Sequence, residues 1–141
     1  PWDTKASGLY MICTLSKHEA EKDGYTDSLM LDHEGYVAEA TGANIFFKDK
    51  KGELHTPIPD SFLDGITRRT VIGIAKSKNI KVNERKILPE EIADFNGCFL
   101  TGTAAEVTPV SQIQDFEFKV CNTIIDLSES YQLLVRKKAA A

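Results

Sequence analysis

The feature that most constrains the fold is a series of short apolar segments, which are separated by turns that contain glycine. Residues 28–32 and 36–40 flank His33-Glu34-Gly35, a pattern that predicts a β-hairpin. Residues 44–48 and 53–56 flank Lys50-Lys51-Gly52 in the same way. We predict further strands at 80–87, 99–101, 110–113 and 116–118, and helices at 7–23, 66–79, 89–93 and 123–135. The sequence therefore predicts one α+β domain in which strands lie mostly beside their sequence neighbours.

Composition narrows the class of protein. The 141 residues carry a net charge of -4 and are 42% hydrophobic, which suits a globular domain with a real core. Basic residues are scattered, so we expect no nucleic-acid partner, and no apolar stretch is long enough to predict a membrane span. The cysteines Cys13, Cys98 and Cys121 are too widely spaced for a disulfide framework or a zinc site, so we expect no metal and a reducing, cytoplasmic compartment.

The two ends of the chain bear on its domain organisation. The sequence begins at Pro1 without an initiator Met, which suggests a fragment, and its first residues do not resemble a signal peptide. We predict one domain at residues 1–138 and a tail at 139–141.

A run of small residues, Thr101-Gly102-Thr103-Ala104-Ala105, follows the apolar segment Cys98-Phe99-Leu100. Small side chains at the end of a strand let a ligand approach the main chain, and exposed backbone amides suit an anion. A plain tight turn after a buried strand explains the same residues. The run alone leaves both interpretations open.

Two other positions suggest chemistry. Glu39 lies between Ala38 and Ala40 in a predicted strand, and a carboxylate there needs a partner, either an arginine or a protonated ring nitrogen. Gly65 precedes a predicted helix, so the amides of Ile66 and Thr67 would lack intrahelical acceptors and could bind a phosphate.

Taken together and in order, these motifs resemble the class IV aminotransferases, which are pyridoxal-phosphate enzymes of fold type IV. The resemblance is strongest to the branched-chain amino acid aminotransferases and covers residues 5 to about 110. It implies a β-rich pseudo-barrel with flanking helices, the large, cofactor-binding domain of such an enzyme. The motifs that carry it are Lys5-Ala6-Ser7-Gly8-Leu9-Tyr10, Gly24-Tyr25, Val37-Ala38-Glu39, Asn44-Ile45-Phe46, Leu63-Asp64-Gly65-Ile66-Thr67-Arg68 and Thr101-Gly102-Thr103-Ala104-Ala105-Glu106-Val107.

The resemblance implies a role for each residue around the cofactor ring. Lys5 would bind pyridoxal 5′-phosphate covalently and then move the proton at the substrate α-carbon. Glu39 would keep the pyridine nitrogen protonated. Tyr10 would hydrogen-bond the 3′ oxygen, and Leu63 would pack on the ring face.

The resemblance also implies two sites for anions. Gly65, the backbone of Ile66 and Thr67, and Thr103 would hold the cofactor phosphate. The amides of Thr103 and Ala104 would bind the substrate α-carboxylate.

The chain departs from the family's pattern in two places and in its extent. Ala43 stands where many relatives have Glu, and Asp64 where many have Pro. The family's N-terminal small domain, which completes the phosphate site and substrate pocket, is absent from this sequence. We therefore expect a chain that is inactive alone, whose partners are that missing domain, amino acids and 2-oxo acids, and a second subunit in a homodimer or higher assembly.

Three functions remain open on the sequence. The first is transamination of leucine, isoleucine and valine with 2-oxoglutarate. The second is a related activity, either D-amino acid transamination or the cleavage of aminodeoxychorismate by a lyase. The third is a non-catalytic structural or dimerising domain that retains the fold.

Overall fold

The computed structural model describes residues 4–136. Three α-helices are present in this part of the chain: α1 (Met11–Lys22), α2 (Ile66–Ser77) and α3 (Asn122–Val135). Two short 3-10 helices span Ser7–Tyr10 and Pro89–Asp94. The strands are β1 (Leu29–Leu31), β2 (Val37–Ala40), β3 (Asn44–Lys48), β4 (Leu54–Thr56), β5 (Val82–Glu84), β6 (Gly97–Gly102), β7 (Glu106–Pro109), β8 (Gln112–Ile113) and β9 (Phe116–Glu117).

Strand β3 organises the main sheet because it pairs with three other strands. Strand β6 pairs antiparallel with all five residues of β3. The other edge of β3 is shared: β2 pairs through Glu39 and Asn44 at one end, and β4 pairs at Phe47 and Lys48 at the other. Between them the Thr56 hydroxyl donates to the Ile45 carbonyl at 2.8 Å. The sheet therefore forks along β3.

The rest of the sheet extends from these four strands. Strand β1 pairs with β2, β5 runs parallel to β4, and β7 pairs with β6, which gives seven strands. Strands β8 and β9 form a separate hairpin. Within residues 4–136 the strands leave open edges and do not close into a barrel, so the β-rich domain with flanking helices is confirmed without barrel closure.

The core lies on both faces of β3, because alternate side chains of a strand point in opposite directions. Phe46 faces helices α2 and α3 and stacks on Phe99, with ring centroids 4.9 Å apart. Ile45 and Phe47 face the second cluster, where Phe47 stacks on Phe95 at 4.9 Å. A Phe-rich strand buried on both faces is the sequence pattern of a central strand.

The helices and glycine turns match the sequence pattern better than the later strands do. Gly24, at φ +86°, ends α1 as predicted, because glycine tolerates the left-handed conformation. The predicted strand 80–87 shrinks to β5, and β7 occupies residues 106–109, where no strand was predicted. The N-terminal helix has no buried residue, and its apolar side chains Ile12 and Leu15 are 61% and 63% exposed.

Three other predictions concern the cysteines, membrane spans and the domain division. Cys13, Cys98 and Cys121 are all unpaired, as their spacing predicts. No helix in the described residues is long and apolar enough to cross a membrane. The division into residues 1–138 and 139–141 stays a prediction, and its tail lies outside the described residues.

Candidate active site

Glu39 is a carboxylate set among small buried neighbours. Its side chain is half-buried between Ala38 and Ala40, which are 6% and 4% exposed. Burial raises the pKa of Glu39 from 4.5 to about 7, because a low-dielectric site disfavours the charged form. Its hydrogen-bond donor is the amide of Asn44, at 3.1 Å, and no arginine in the described residues forms an ion pair with it. A cationic ring nitrogen would stabilise the carboxylate in this position.

Asn44 connects Glu39 with the turn before helix α2. It is 4% exposed, and its Nδ2 donates both to Glu39 Oε2 and to the Leu63 carbonyl, the latter at 2.8 Å. Its Oδ1 accepts from the Gly65 N–H at 3.1 Å. The sequence motif includes Asn44, but its role was not predicted. A polar residue inside an apolar strand is the signal that could have revealed it, since buried amides need partners.

The start of helix α2 offers unpaired main-chain donors. Gly65 is the N-cap and has no side chain to accept from the first-turn amides. Ile66 projects outward and is 76% exposed, whereas Thr67 is buried with its hydroxyl 3.4 Å from that of Tyr131. The predicted phosphate site therefore has its backbone donors available, while the Thr67 hydroxyl has a protein neighbour.

The buried side chain of Arg68 stabilises the same turn through hydrogen bonds. It is 1% exposed, donates to Asp64 at 2.9 Å and to Glu84 at 2.8 Å, and also bonds the Pro57 carbonyl. In the sequence Arg68 stands out only as the last residue of the motif that begins at Leu63, and its burial was not predicted. The Asp64 that departs from the family's usual Pro gains a structural explanation here, because it partners Arg68.

A cavity of about 230 Å³ opens beside Glu39 and collects several predicted residues. Thr4, Tyr10, Glu39 and Leu63 line it, together with apolar side chains that include Met30. Lys5 follows Thr4 directly, and its side chain is exposed. The structure thus brings Tyr10, Glu39 and Leu63 to one cavity and places Lys5 directly after a residue that lines it.

The predicted carboxylate cradle lies in the turn between β6 and β7. Thr103 and Ala104 are exposed there. A Cβ on the preceding Gly102 would lie 3.4 Å from both the Gly42 carbonyl oxygen and the Ala43 Cβ, so this turn packs against the β2–β3 turn. The cradle therefore shares an end of the sheet with Asn44.

Two buried hydroxyls test whether a cofactor fits. Among the described residues, Ser61 Oγ and Thr101 Oγ1 are the buried side-chain atoms without a hydrogen-bond partner. Ser61 lines the cavity of Glu39, and Thr101 lies opposite Asn44 in the sheet register. Buried polar atoms are normally paired. Their spare bonding capacity, the acid at Glu39 and the open start of α2 fit a polar, phosphorylated cofactor.

Other polar clusters lie outside this arrangement. A second cavity, of about 350 Å³, is lined by Tyr10, Lys17 and His18 but not by Glu39. Asp49, Glu53 and His55 converge at the β3–β4 turn, where Asp49 bonds backbone amides and Glu53 bonds Lys81 and Asn83. These contacts account for the cluster as part of the turn.

Comparison with known proteins decides the family. The family model described as amino-transferase class IV matches residues 2–113. The chain belongs to the class IV aminotransferases. The structure collects Tyr10, Glu39 and Leu63 around one cavity, and the role of each of these residues stays a prediction.

Branched-chain enzymes are prominent among the relatives of this class IV chain. A probable branched-chain-amino-acid aminotransferase of Rickettsia conorii is 46% identical over 142 residues, covering 97% of the chain and 48% of the relative. The branched-chain aminotransferase of Thermoproteus uzoniensis, solved with norvaline, superposes with a TM-score of 0.92 at 37% identity, over 98% of this chain and 46% of that one. The branched-chain amino acid aminotransferase of Thermobaculum terrenum, solved in its PLP-bound holo form, gives 0.93 at 35% identity, over 99% and 47%. The chain spans about half the length of the relatives it matches.

Proposed function

We propose that this chain is the cofactor-binding domain of a branched-chain amino acid aminotransferase. The parent enzyme would pass the amino group of leucine, isoleucine or valine to 2-oxoglutarate, with pyridoxal 5′-phosphate as cofactor. The observation that carries the proposal is the cavity in which Tyr10, Glu39 and Leu63 meet, with Lys5 beside it. The Thermobaculum terrenum relative supports the choice of cofactor, since its structure is that of the PLP form.

The residues around the ring divide the chemical work. When bound, pyridoxal phosphate supplies an electron-withdrawing ring that stabilises negative charge at the substrate α-carbon. Glu39 would bind the ring nitrogen, and the Asn44 amide, which donates to Glu39, would orient its carboxylate. Leu63 would pack on the ring, and Tyr10 would hydrogen-bond the ring oxygen. Lys5 would hold the cofactor through Nζ and would serve as the group that moves the proton at the substrate α-carbon.

The anion sites use backbone donors. The amides of Ile66 and Thr67, at the start of a helix with no side-chain cap, bind the phosphate with support from Gly65 and Thr103. The amides of Thr103 and Ala104 bind the substrate carboxylate, and their small side chains leave room for it. Both sites lie in turns held by the sheet, so their spacing is set by the fold.

Covalent trapping tests the cofactor assignment without measuring turnover. The chain is mixed with pyridoxal phosphate and treated with borohydride, which converts a lysine-bound cofactor into a stable amine that peptide mass spectrometry locates. We expect one label per chain, on Lys5, and its loss in Lys5→Ala. Lys17→Ala, which removes a lysine from the neighbouring cavity, serves as the matched control and should keep the label. Equal labelling of Lys5→Ala would refute the assignment.

The reaction itself is a proposal for the parent protein. We propose that the chain alone turns over leucine far more slowly than its parent, because an open site loses electrostatic stabilisation to water. Assays of the parent with leucine, D-alanine and aminodeoxychorismate separate the branched-chain activity from the two related ones. Normal leucine turnover by the isolated chain would contradict the need for a second domain.

The setting of the enzyme belongs to the same proposal. The unpaired Cys13, Cys98 and Cys121 support a reducing, cytoplasmic compartment. Assembly with the remaining domain of the parent and into a homodimer or higher oligomer follows from the family resemblance.

A further inference from the structure

Gly65 occupies a position whose backbone does not require glycine. Its φ of -64° and ψ of 142° are extended values that most residues adopt. A Cβ there would nevertheless overlap Asn44 Oδ1 and lie 3.6 Å from Asn44 Cγ. The space that glycine leaves is therefore filled by the side-chain oxygen of Asn44.

The orientation of the Asn44 amide is fixed by its partners. Nδ2 faces two acceptors, Glu39 Oε2 at 3.1 Å and the Leu63 carbonyl at 2.8 Å, while Oδ1 faces the Gly65 N–H at 3.1 Å. Turning the amide by half a rotation would set oxygen against two acceptors and nitrogen against a donor. The side chain is also 4% exposed, so water cannot replace these bonds.

We propose that Asn44 is a positioning residue that fixes the Glu39 carboxylate relative to the turn at Leu63 and Gly65. This inference rests on the proposed function, in which Glu39 meets the cofactor ring and the amides after Gly65 meet its phosphate. A rigid cofactor needs those two contacts at one spacing. Gly65 is then required because only a residue without a Cβ leaves room for the Asn44 oxygen.

The coupling gives Glu39 a measurable response to a change at Gly65. In Gly65→Ala the new methyl group displaces Asn44 Oδ1, which draws Nδ2 away from Glu39. The charged carboxylate loses a hydrogen bond, so the pKa of Glu39 rises above its value in the parent chain. Asn44→Ala removes the same bond directly. The cavity is also lined by the ionisable side chains of Tyr10, Cys13 and Asp32, and neither substitution removes any of them.

A double-mutant cycle read at Glu39 tests the proposal without cofactor. Carbon-13 NMR follows the Glu39 carboxyl during pH titrations of four proteins: the unmutated chain, Gly65→Ala, Asn44→Ala and the double variant. We expect a higher pKa in each single variant, and a double variant that matches Asn44→Ala. An unchanged pKa in Gly65→Ala, or equal rises from Gly65→Ala in both backgrounds, would overturn the coupling.

Gly73→Ala is the matched control in the same helix. A Cβ at Gly73 would meet nothing within 4 Å, so this variant should leave the Glu39 pKa at the parent value. If Asn44→Ala does not fold by circular dichroism, the comparison of Gly65→Ala with Gly73→Ala carries the test alone. A rise in both glycine variants would then count against the proposal.

Cofactor affinity separates this inference from the proposed function. Pyridoxal phosphate titrations followed by absorbance should give about tenfold weaker binding in Gly65→Ala and Asn44→Ala, the loss of about one hydrogen bond to a charged group. Gly73→Ala should bind as the parent does. If the unmutated chain does not bind pyridoxal phosphate but the double-mutant cycle shows coupling at Glu39, the cofactor role is overturned and the coupling stands. If the unmutated chain binds normally and the cycle shows no coupling in the Glu39 pKa, the Asn44 inference alone fails.

Discussion

Glu39 makes the stability of the cofactor-free chain depend on pH in an unusual direction. Its folded-state pKa of about 7 lies above the ordinary value of 4.5, so the folded state holds this proton more tightly than the unfolded state. The contribution to stability is complete below pH 4.5 and is lost as the pH rises to about 7. Above that the loss is constant.

The size of the effect follows from the pKa. One pKa unit corresponds to about 1.4 kcal/mol, so the rise from 4.5 to about 7 destabilises the charged folded state by about 3 kcal/mol at most. Glu39 is partly exposed, and solvent screening makes that figure a ceiling. Glu39→Gln keeps the shape and the acceptor for Asn44 but cannot ionise. The variant should have the same free energy of unfolding as the unmutated chain at about pH 4 and a higher one at about pH 8.

Urea denaturation of both proteins at a series of pH values measures this difference. Other carboxylates, such as Asp49 and Glu91, have lowered pKa values, so their protonation in acid destabilises both proteins equally. The difference between the two curves of unfolding free energy against pH therefore isolates Glu39. Glu129→Gln, at an exposed position of α3, is the control and should follow the parent at every pH. Parallel curves for Glu39→Gln and the parent would refute the argument that Glu39 is held in a desolvated site.

Two further predictions concern residues outside the cofactor contacts. Arg68→Met should lower the free energy of unfolding by about 3 kcal/mol in chemical denaturation, because it leaves partly buried acceptors unpaired. Arg69→Met in the same helix should cost less than about 1 kcal/mol, because the Arg69 side chain is 60% exposed. A fall of similar size in both would contradict this account. Under native conditions a thiol reagent should modify Cys13 before Cys98, because burial raises the pKa of the Cys98 thiol and shields it; equal rates, followed by mass spectrometry, would count against the buried position.

The local parts of the fold could be predicted because local chemistry determines them. The start of α2 after Gly65 and the end of α1 at Gly24 follow from rules that act within a few residues. The pairing of β3 with β6 could not be predicted in this way. The two strands lie about fifty residues apart, and nothing near Asn44 in the sequence specifies that partner.

The residues of the site also separate into those that the sequence predicted and those that it did not. Roles for Lys5, Glu39 and Thr103 were predicted from a family resemblance, since each falls in a recognisable motif, and these roles stay predictions. Asn44 and Arg68 were missed because their importance lies in contacts with residues 11 to 21 positions away. Burial is the property that distinguishes them, and a single sequence reports burial poorly for polar residues.

The pairing of β3 with both β2 and β6 explains why the candidate site lies at this end of the sheet. Asn44 stands opposite Glu39 of β2 and opposite Thr101 of β6, so three strands meet at one residue. Directly opposed residues in antiparallel strands share a face. Glu39 and the strand that leads to Thr103 therefore flank the side chain that holds the Gly65 turn. A substitution at Asn44 should disturb ring and phosphate contacts together, whereas one at Thr103 should disturb only the anion contacts.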